Sequence, residues 1–571
     1  MDSTRALRLL WLFTGVVLLC GLLFPPLMDF DAAQIGTISM RMFLTGDMKN
    51  LVNRHYVGGA FYDYLDKPHL VYWSAVAGYH LFGLGAVGMR FFSVLSTLAA
   101  AYATARLGER LYNRKVGGWA ALMFVTSQSI LLANHDVRTD SLLTAFTVLA
   151  VWQLTVYIDE RKWPPLVAGF LFLALGVASK GLISVLAAGF ALFFLLIGRR
   201  DWSGLFNRRW PAGLLVFFLG LSPFLYAYYL QFDMHPEKYV NGGYGNSGVK
   251  FLLWSHSFDR FAGNRQLVAS PEFGFFFHTI LWVFLPWSLM MVAGVFDRLR
   301  ELLRTRGGSF FDREQLTFAG VWTLFVVMSF SSFKLPHYLN ILLPLMSVFT
   351  AGWLWRLHAE HGGRGLRTLL GVQKALVVLL VLVTLVIAAW FFPLRKAWVF
   401  VGAIPFVYVL YRLWRGEGSG LHDRIVYLSA AGILLANYVL NAHFYPELGR
   451  YQAGNRMAEA IQDRGIDTSS VYYYGGRVSR SFDFYSRRFA PFVDSAGIAE
   501  LISQGREVHL YTSGGSGDTL RRQFPQAVEA VSVPDERVTR LKLSFLNPAT
   551  REKGMPRAVL YRVGPAVVRK P

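Results

Sequence analysis

Cysteine is almost missing from this chain of 571 residues: Cys20 stands alone, inside an apolar run, which excludes a disulfide framework and any cysteine-based metal site. Charge is also scarce. Only 16% of residues are Asp, Glu, Lys or Arg, and the mean hydropathy is +0.37, outside the usual range of a soluble globular protein. Acidic residues are the scarcer sign, 36 against 57 basic ones, giving a formal net charge of +21. In a soluble chain that excess would suggest nucleic acid. Here the arginines gather in short loops between apolar stretches, where they read as topology signals, so no nucleic-acid partner is expected. Internal repeats, low-complexity tracts and charges inside apolar runs are missing as well, and these are what a transporter or flippase would carry.

What the chain does have is one apolar run after another, each long enough to cross a hydrocarbon core roughly 30 Å thick as a helix. About thirteen spans are expected, near residues 9–27, 91–112, 116–133, 141–158, 166–177, 182–197, 214–230, 273–296, 316–330, 338–355, 369–392, 399–410 and 425–441. Pro25-Pro26 and the lack of a small-residue cleavage pattern favour an uncleaved first span over a signal peptide. Arg5 and Arg8 place the N-terminus in the cytoplasm, and basic clusters return after every second span: Arg161 and Lys162; Arg199, Arg200, Arg208 and Arg209; Arg298 to Arg313; Arg356, Arg364 and Arg367; Arg412, Arg415 and Arg424. With an odd number of spans, everything after His443 lies on the opposite side.

The expected fold class is an all-α polytopic membrane protein with a small C-terminal α/β domain. Residues 1–443 form the membrane domain, with long outer loops at 28–88 and 231–270, and residues 444–571 form the extramembrane domain. In the latter, charge becomes frequent. Strands are expected at 471–474, 507–511 and 558–561, and helices at 453–463 and 495–503. Chemistry belongs on the outer face, where four polar stretches converge: 28–88, 135–140, 231–270 and 333–337.

The outer stretches hold the residues able to carry chemistry. Asp31 opens an amphipathic stretch with Ile35, Ile38, Met42 and Phe43, suited to a helix along the membrane surface; Asp29 or Asp31 reads either as its cap or as a working carboxylate. Asp140, at the outer end of the fourth span, has the same two readings, with burial near hydrocarbon favouring function. Lys67, Arg260 and Lys334 are either snorkelling cations or phosphate ligands, and Lys180 completes a basic rim. Asp66, His256 and His337 sit on three outer loops and could share a metal, although their spacing carries no metal signature.

Taken in order, several short pieces resemble a known family: the Asp31 loop with Leu44-Thr-Gly-Asp47, then Asp66-Lys-Pro-His-Leu-Val-Tyr-Trp73, Gly88-Met-Arg90, Arg138-Thr-Asp-Ser-Leu-Leu143, Ser179-Lys-Gly181, Ser257-Phe-Asp-Arg-Phe261, Leu285-Pro-Trp-Ser288 and Lys334-Leu-Pro-His-Tyr338. Together they look like the membrane glycosyltransferases of GT-C fold, in the bacterial branch related to protein O-mannosyltransferases that includes the aminoarabinose transferase of lipid A. The resemblance implies an inverting enzyme of the bacterial inner membrane. It would take a sugar from a polyprenyl-phosphate donor on the periplasmic side and place it on an acceptor such as lipid A, with related enzymes acting on protein or another glycan as the alternative. It implies Asp31 and Asp140 as the catalytic carboxylates, Lys67 as a donor-phosphate ligand with Arg260, Lys334 and His337 nearby, and a structural Zn2+ held by Asp66, His256 and His337. The chain departs from the family pattern at Ala32, where an acidic residue is usual, at Asp66, where glutamate is common, and at a Tyr56-Val-Gly-Gly insertion.

Overall fold

The computed structural model describes residues 2–29, 31–136, 139–258, 272–307, 312–416, 418 and 420–564. Among these, nine helices are long and apolar enough to cross a membrane, from Ser3–Leu23 to Leu421–Gly449, and a bent pair makes a tenth. The remaining expected spans are also helical but short or broken: Ile183–Gly198, Phe275–Val283 with Ser288–Arg304, and Ala319–Ser329. The segments expected at 338–355 and 369–392 share one helical stretch, Leu343–Val386, entered through the tight turn Pro336–Leu342.

The irregularities have local causes. Arg114–Val125 meets Gln128–His135 at 53°, where the hydroxyls of Thr126 and Ser127 bond back to the carbonyls of Leu122 and Met123, at 2.6 and 2.7 Å, and the Gln128 amide turns away to the Leu285 carbonyl. Phe275–Val283 stops before Pro286, which has no N–H to continue a helical ladder. Close helix crossings rest on glycine. A Cβ on Gly78 of helix Leu70–Phe82 would lie 1.9 Å from the Gly88 carbonyl oxygen of helix Ala86–Leu111.

The first helix ties together the two ends of the bundle. Near its start the Ser3 hydroxyl donates to Asp423, 2.9 Å away at the beginning of Leu421–Val439. Past its other end the Leu27 amide donates to the Tyr485 hydroxyl of the C-terminal domain at 2.7 Å. Arg90, fully buried, ties that outer end together by donating to the carbonyls of Pro25, Pro26 and His135 at 2.6, 3.0 and 2.8 Å. On the opposite face the basic loops are bridged: Arg110 to Asp159 and Glu160, Arg161 to Asp201, and Arg298 and Arg356 to Glu314.

The C-terminal domain is a four-stranded sheet in the order Val471–Tyr473, Val508–Thr512, Arg557–Val563, Val528–Pro534; the first pair is parallel and the others antiparallel. Helices Ala453–Asp463 and Ser495–Ser503 occupy their expected places, whereas the strand Val528–Pro534 was not foreseen. One face packs Met457, Ile461, Tyr473, Phe482 and Leu560 into a core of its own.

This domain docks on the first outer loop. Residues Val52–Arg54 and Phe61–Asp63 form an antiparallel hairpin whose turn is Tyr56-Val-Gly-Gly, with Gly58 and Gly59 at φ of +74° and +65°. A Cβ on Gly59 would meet the Phe492 ring at 2.6 Å. The hairpin is pinned at both ends. Arg54 pairs with Asp483 at 2.7 Å with both side chains buried, and the Val478 amide donates to the Tyr56 carbonyl at 2.8 Å. Burial pushes the Asp483 carboxyl up to about 6, against the pull of Arg54. Asp29, half-buried, accepts from the Ser481 amide and hydroxyl at 3.0 and 2.9 Å; it fastens the C-terminal domain and does not cap the next helix. That helix, Asp31–Thr45, buries Ile35, Ile38 and Met42 as its pattern requires. It is not left lying on lipid: Gly36 fits between Met89 of the membrane domain and Phe484 of the C-terminal domain.

Three outcomes follow for stability. Gly78→Val forces apart two helices and lowers the melting temperature in detergent, whereas Gly118→Ala, whose new Cβ meets nothing within 4 Å, leaves it unchanged or raised. Arg54→Ala strands the buried Asp483 charge and costs about 3–5 kcal/mol at neutral pH, read as faster proteolytic release of the C-terminal domain. The double change Arg54→Met with Asp483→Leu recovers most of that loss. Between the ordinary Asp483 value of 3.8 and the folded value of about 6, the folded state holds a proton that the unfolded chain has given up. Stability of the wild type relative to the double variant therefore falls as pH rises through that window, measured by thermal unfolding across pH 4 to 7.

Candidate active site

The four outer stretches do converge, through contacts that join distant parts of the chain. Gln231 closes on the first loop by accepting from the Leu51 amide and donating to the Leu51 carbonyl and the Asp63 carboxylate, each at 2.8 Å. Lys238 adds an ion pair to Asp63 at 3.2 Å, and Asn241 donates to the Leu65 carbonyl at 2.8 Å. Two cavities open within this assembly.

The first is small and polar. It has a volume of about 280 Å3 and is lined by Asp31, Gln34, Arg54, His55, Tyr56, Tyr62 and Arg480. Asp31 enters as the first residue of its helix, where the helix N-terminus favours a carboxylate, and its Oδ1 accepts from Lys67 Nζ at 2.9 Å. The opposite wall comes from the hairpin, where His55 stacks on Tyr62 with 4.1 Å between ring centroids, and from Arg480 of the C-terminal domain.

The second cavity, about 320 Å3, is apolar along most of its length and polar at one end. Leu143, Ile183, Leu186, Phe276, Val327 and Met328 line the apolar part; Asp140, Lys180, His256, Ser257 and Tyr338 form the polar part. Asp140 is 2% exposed and pairs with Lys180 at 2.7 Å, while His337 Nε2 lies 3.8 Å from its other oxygen. Lys180 Nζ sits 4.1 Å from the centre of the Tyr338 ring. A buried ion pair next to hydrocarbon is costly unless well made, and here the ammonium lines the cavity beneath the Tyr338 ring.

Asp31 and Asp140, the two expected catalytic carboxylates, line separate cavities and pair with different lysines. A packed aromatic layer connects the two. The Tyr228 hydroxyl donates to the Lys67 carbonyl at 3.3 Å, Tyr228 lies 6.2 Å from Phe251, and Phe251 meets His256 edge-on at 5.4 Å. Lys334 is buried on the turn before His337, and loss of hydration pulls its ammonium below the ordinary lysine value, with Glu272 opposing. Arg260 lies outside the described residues. Among the described residues no three His, Cys, Asp or Glu side chains, Asp66, His256 and His337 included, are close enough to hold an ion. Asp66 instead accepts from the Tyr64 hydroxyl at 2.9 Å, and His337 turns to Asp140.

Sequence reasoning missed Arg54, Asp483 and Arg480. Arg54 and Asp483 are 429 positions apart, and no local pattern announces them; the only hint was the Tyr56-Val-Gly-Gly insertion, which proves to be the hairpin turn they hold.

Comparison with known proteins gives this arrangement a context. Residues 66–227 match the family model described as dolichyl-phosphate-mannose-protein mannosyltransferase. Over 392 residues the chain is 24% identical to undecaprenyl phosphate-alpha-4-amino-4-deoxy-L-arabinose arabinosyl transferase 1 of Pseudomonas fluorescens, an alignment covering 66% of this chain and 63% of that protein. It is 26% identical over 372 residues to the corresponding transferase of Edwardsiella ictaluri, covering 63% of this chain and 61% of that one. The chain thus aligns with a little under two thirds of the length of these curated relatives. The crystal structure of ArnT from Cupriavidus metallidurans bound to undecaprenyl phosphate superposes with a TM-score of 0.71 at 18% identity, over 97% of both chains. Bundle, outer loops and C-terminal sheet domain all fall within that superposition, and the chain is accordingly a polytopic membrane protein of GT-C fold in its ArnT-like form.

Proposed function

We propose that the protein is an inverting glycosyltransferase of the bacterial inner membrane that moves a sugar from a polyprenyl-phosphate donor to a periplasmic acceptor, with aminoarabinose transfer to lipid A as the specific reaction. The observation that carries this reading is the second cavity. An apolar slot ending in Lys180, Asp140 and Tyr338 has the form of a lipid chain with a phosphate at its tip. In the reaction, the bond between the sugar anomeric carbon and the lipid phosphate breaks, and the acceptor oxygen bonds to that carbon from the opposite face. The lipid phosphate leaves carrying the electron pair. Lys180, with Lys67 behind the Tyr228 layer, is placed to stabilise the charge that develops on it.

Asp31 works on the acceptor side. If the nucleophile is a hydroxyl, Asp31 accepts its proton; if it is a phosphate oxygen, already anionic at neutral pH, Asp31 orients the sugar and its amine without proton transfer. Its pairing with Lys67 holds the carboxylate in position for either task. The N-terminus is then cytoplasmic and the C-terminal domain periplasmic, roofing the site.

The match to a protein mannosyltransferase family model favours one second reading, transfer to protein or to another glycan. Mass analysis of lipid A separates the two. Cells that lack their own aminoarabinose transferase and express this chain gain one aminoarabinose unit on lipid A, and Asp31→Asn abolishes the gain while expression stays normal. An unchanged lipid A profile assigns the enzyme to the second reading, and full activity of Asp31→Asn removes that carboxylate from the mechanism.

A further inference from the structure

Resting on the reading of a phosphate-bearing acceptor, we infer that the C-terminal domain is part of the acceptor site and that Arg480 binds an anionic, phosphomonoester-type group of the acceptor inside the Asp31 cavity. The charges around that cavity are matched in pairs, Asp31 with Lys67 and Arg54 with Asp483. Arg480 is the cation left over. It has no ion-pair partner among the described residues, and Asp29, occupied by Ser481, acts on it only at longer range. It is nevertheless 5% exposed, a position in which a guanidinium without a counter-ion is costly.

The geometry holds the guanidinium in place without consuming it. Arg480 lies 3.9 Å from the centre of the Tyr56 ring, donates through Nη1 to the Tyr56 hydroxyl at 2.5 Å, and through Nη2 to the Arg54 carbonyl at 3.3 Å. A guanidinium has five N–H donors in a planar fork. Two are used here, and the Nε–H is buried with no acceptor among the described residues. A planar, pre-oriented fork with open donors is the arrangement that suits a phosphate oxygen pair.

The two cavities also sort the ligands. A polyprenyl chain needs the apolar lining found beside Asp140, whereas the Asp31 cavity, about 280 Å3 and lined by polar groups and aromatic hydroxyls, holds one headgroup-sized unit and no lipid tail. The same phosphate chemistry could come from the donor or from the acceptor; the setting of Arg480 assigns it to the acceptor. It also gives the Tyr56-Val-Gly-Gly insertion a purpose, because the hairpin supplies the ring on which Arg480 rests.

The test uses the full-length protein in detergent, with glucosamine 1-phosphate as the acceptor probe and undecaprenyl phosphate as the donor-lipid probe, both read by calorimetry. Arg480→Gln weakens binding of glucosamine 1-phosphate by roughly 10- to 100-fold, leaves binding of free glucosamine as it was, and keeps undecaprenyl phosphate at its wild-type affinity. Arg480→Lys restores part of the loss. Equal affinity of Arg480→Gln and wild type for glucosamine 1-phosphate overturns the inference, as does a loss that falls on undecaprenyl phosphate instead, which would assign the guanidinium to the donor. A loss on both probes, together with faster proteolytic release of the C-terminal domain, also overturns it by making Arg480 a docking residue. If undecaprenyl phosphate binds neither protein, the donor assignment fails, while the glucosamine 1-phosphate comparison still decides the role of Arg480.

Discussion

Buried charge must be neutralised, and at the outer face of this protein that requirement organises everything else. Asp140 with Lys180, Asp31 with Lys67, and Arg54 with Asp483 are each brought from separate segments to within 3 Å. Arg54, Asp483 and Asp140 are buried, and removing the partner of any of them would leave an uncompensated charge in the interior, whereas the Asp31–Lys67 pair is partly exposed. Their formation draws together the first loop and the C-terminal domain, and ties the ends of two spans to each other.

The same requirement separates two chemical environments. The Asp140–Lys180 pair lines a cavity that is otherwise largely apolar, the environment the proposed lipid-borne phosphate requires. The Asp31–Lys67 pair faces a polar chamber walled by a hairpin and by the C-terminal domain. A transferase that joins a lipid-linked donor to a water-exposed acceptor needs both environments side by side, and the Tyr228–Phe251–His256 layer keeps them adjacent.

Much of the fold could be read from the sequence because the membrane imposes long, locally visible apolar runs; each of the thirteen segments is helical. What could not be read was where a run bends. That depends on Thr126 and Ser127 bonding back to the preceding turn and on the Gln128 amide finding a partner in another segment. In the C-terminal domain, Val471–Tyr473 and Val508–Thr512 were visible as short apolar strands. Val528–Pro534 was missed because its first residues face solvent and it ends in proline, which blurs the alternation. Asp31, Lys67, Asp140 and His337 could be singled out from sequence because they fall in short motifs near span ends, and the structure sets them on the linings or ion pairs of the two cavities. Arg480 and Asp483 lie in an ordinary stretch of a separate domain and gain meaning only once the hairpin closes on them. For the expected metal set of Asp66, His256 and His337, the described residues hold no group of three His, Cys, Asp or Glu side chains close enough for an ion.

The division of labour between the two cavities is tested most directly by a cryo-electron microscopy structure of the protein with undecaprenyl phosphate bound. The chain should run past Leu143, Ile183, Leu186 and Phe276, with the phosphate in contact with Lys180 and Tyr338 and the Asp31 chamber left to solvent. Density for the lipid tail or its phosphate beside Arg480 and Tyr56, with the apolar slot empty, would contradict that division.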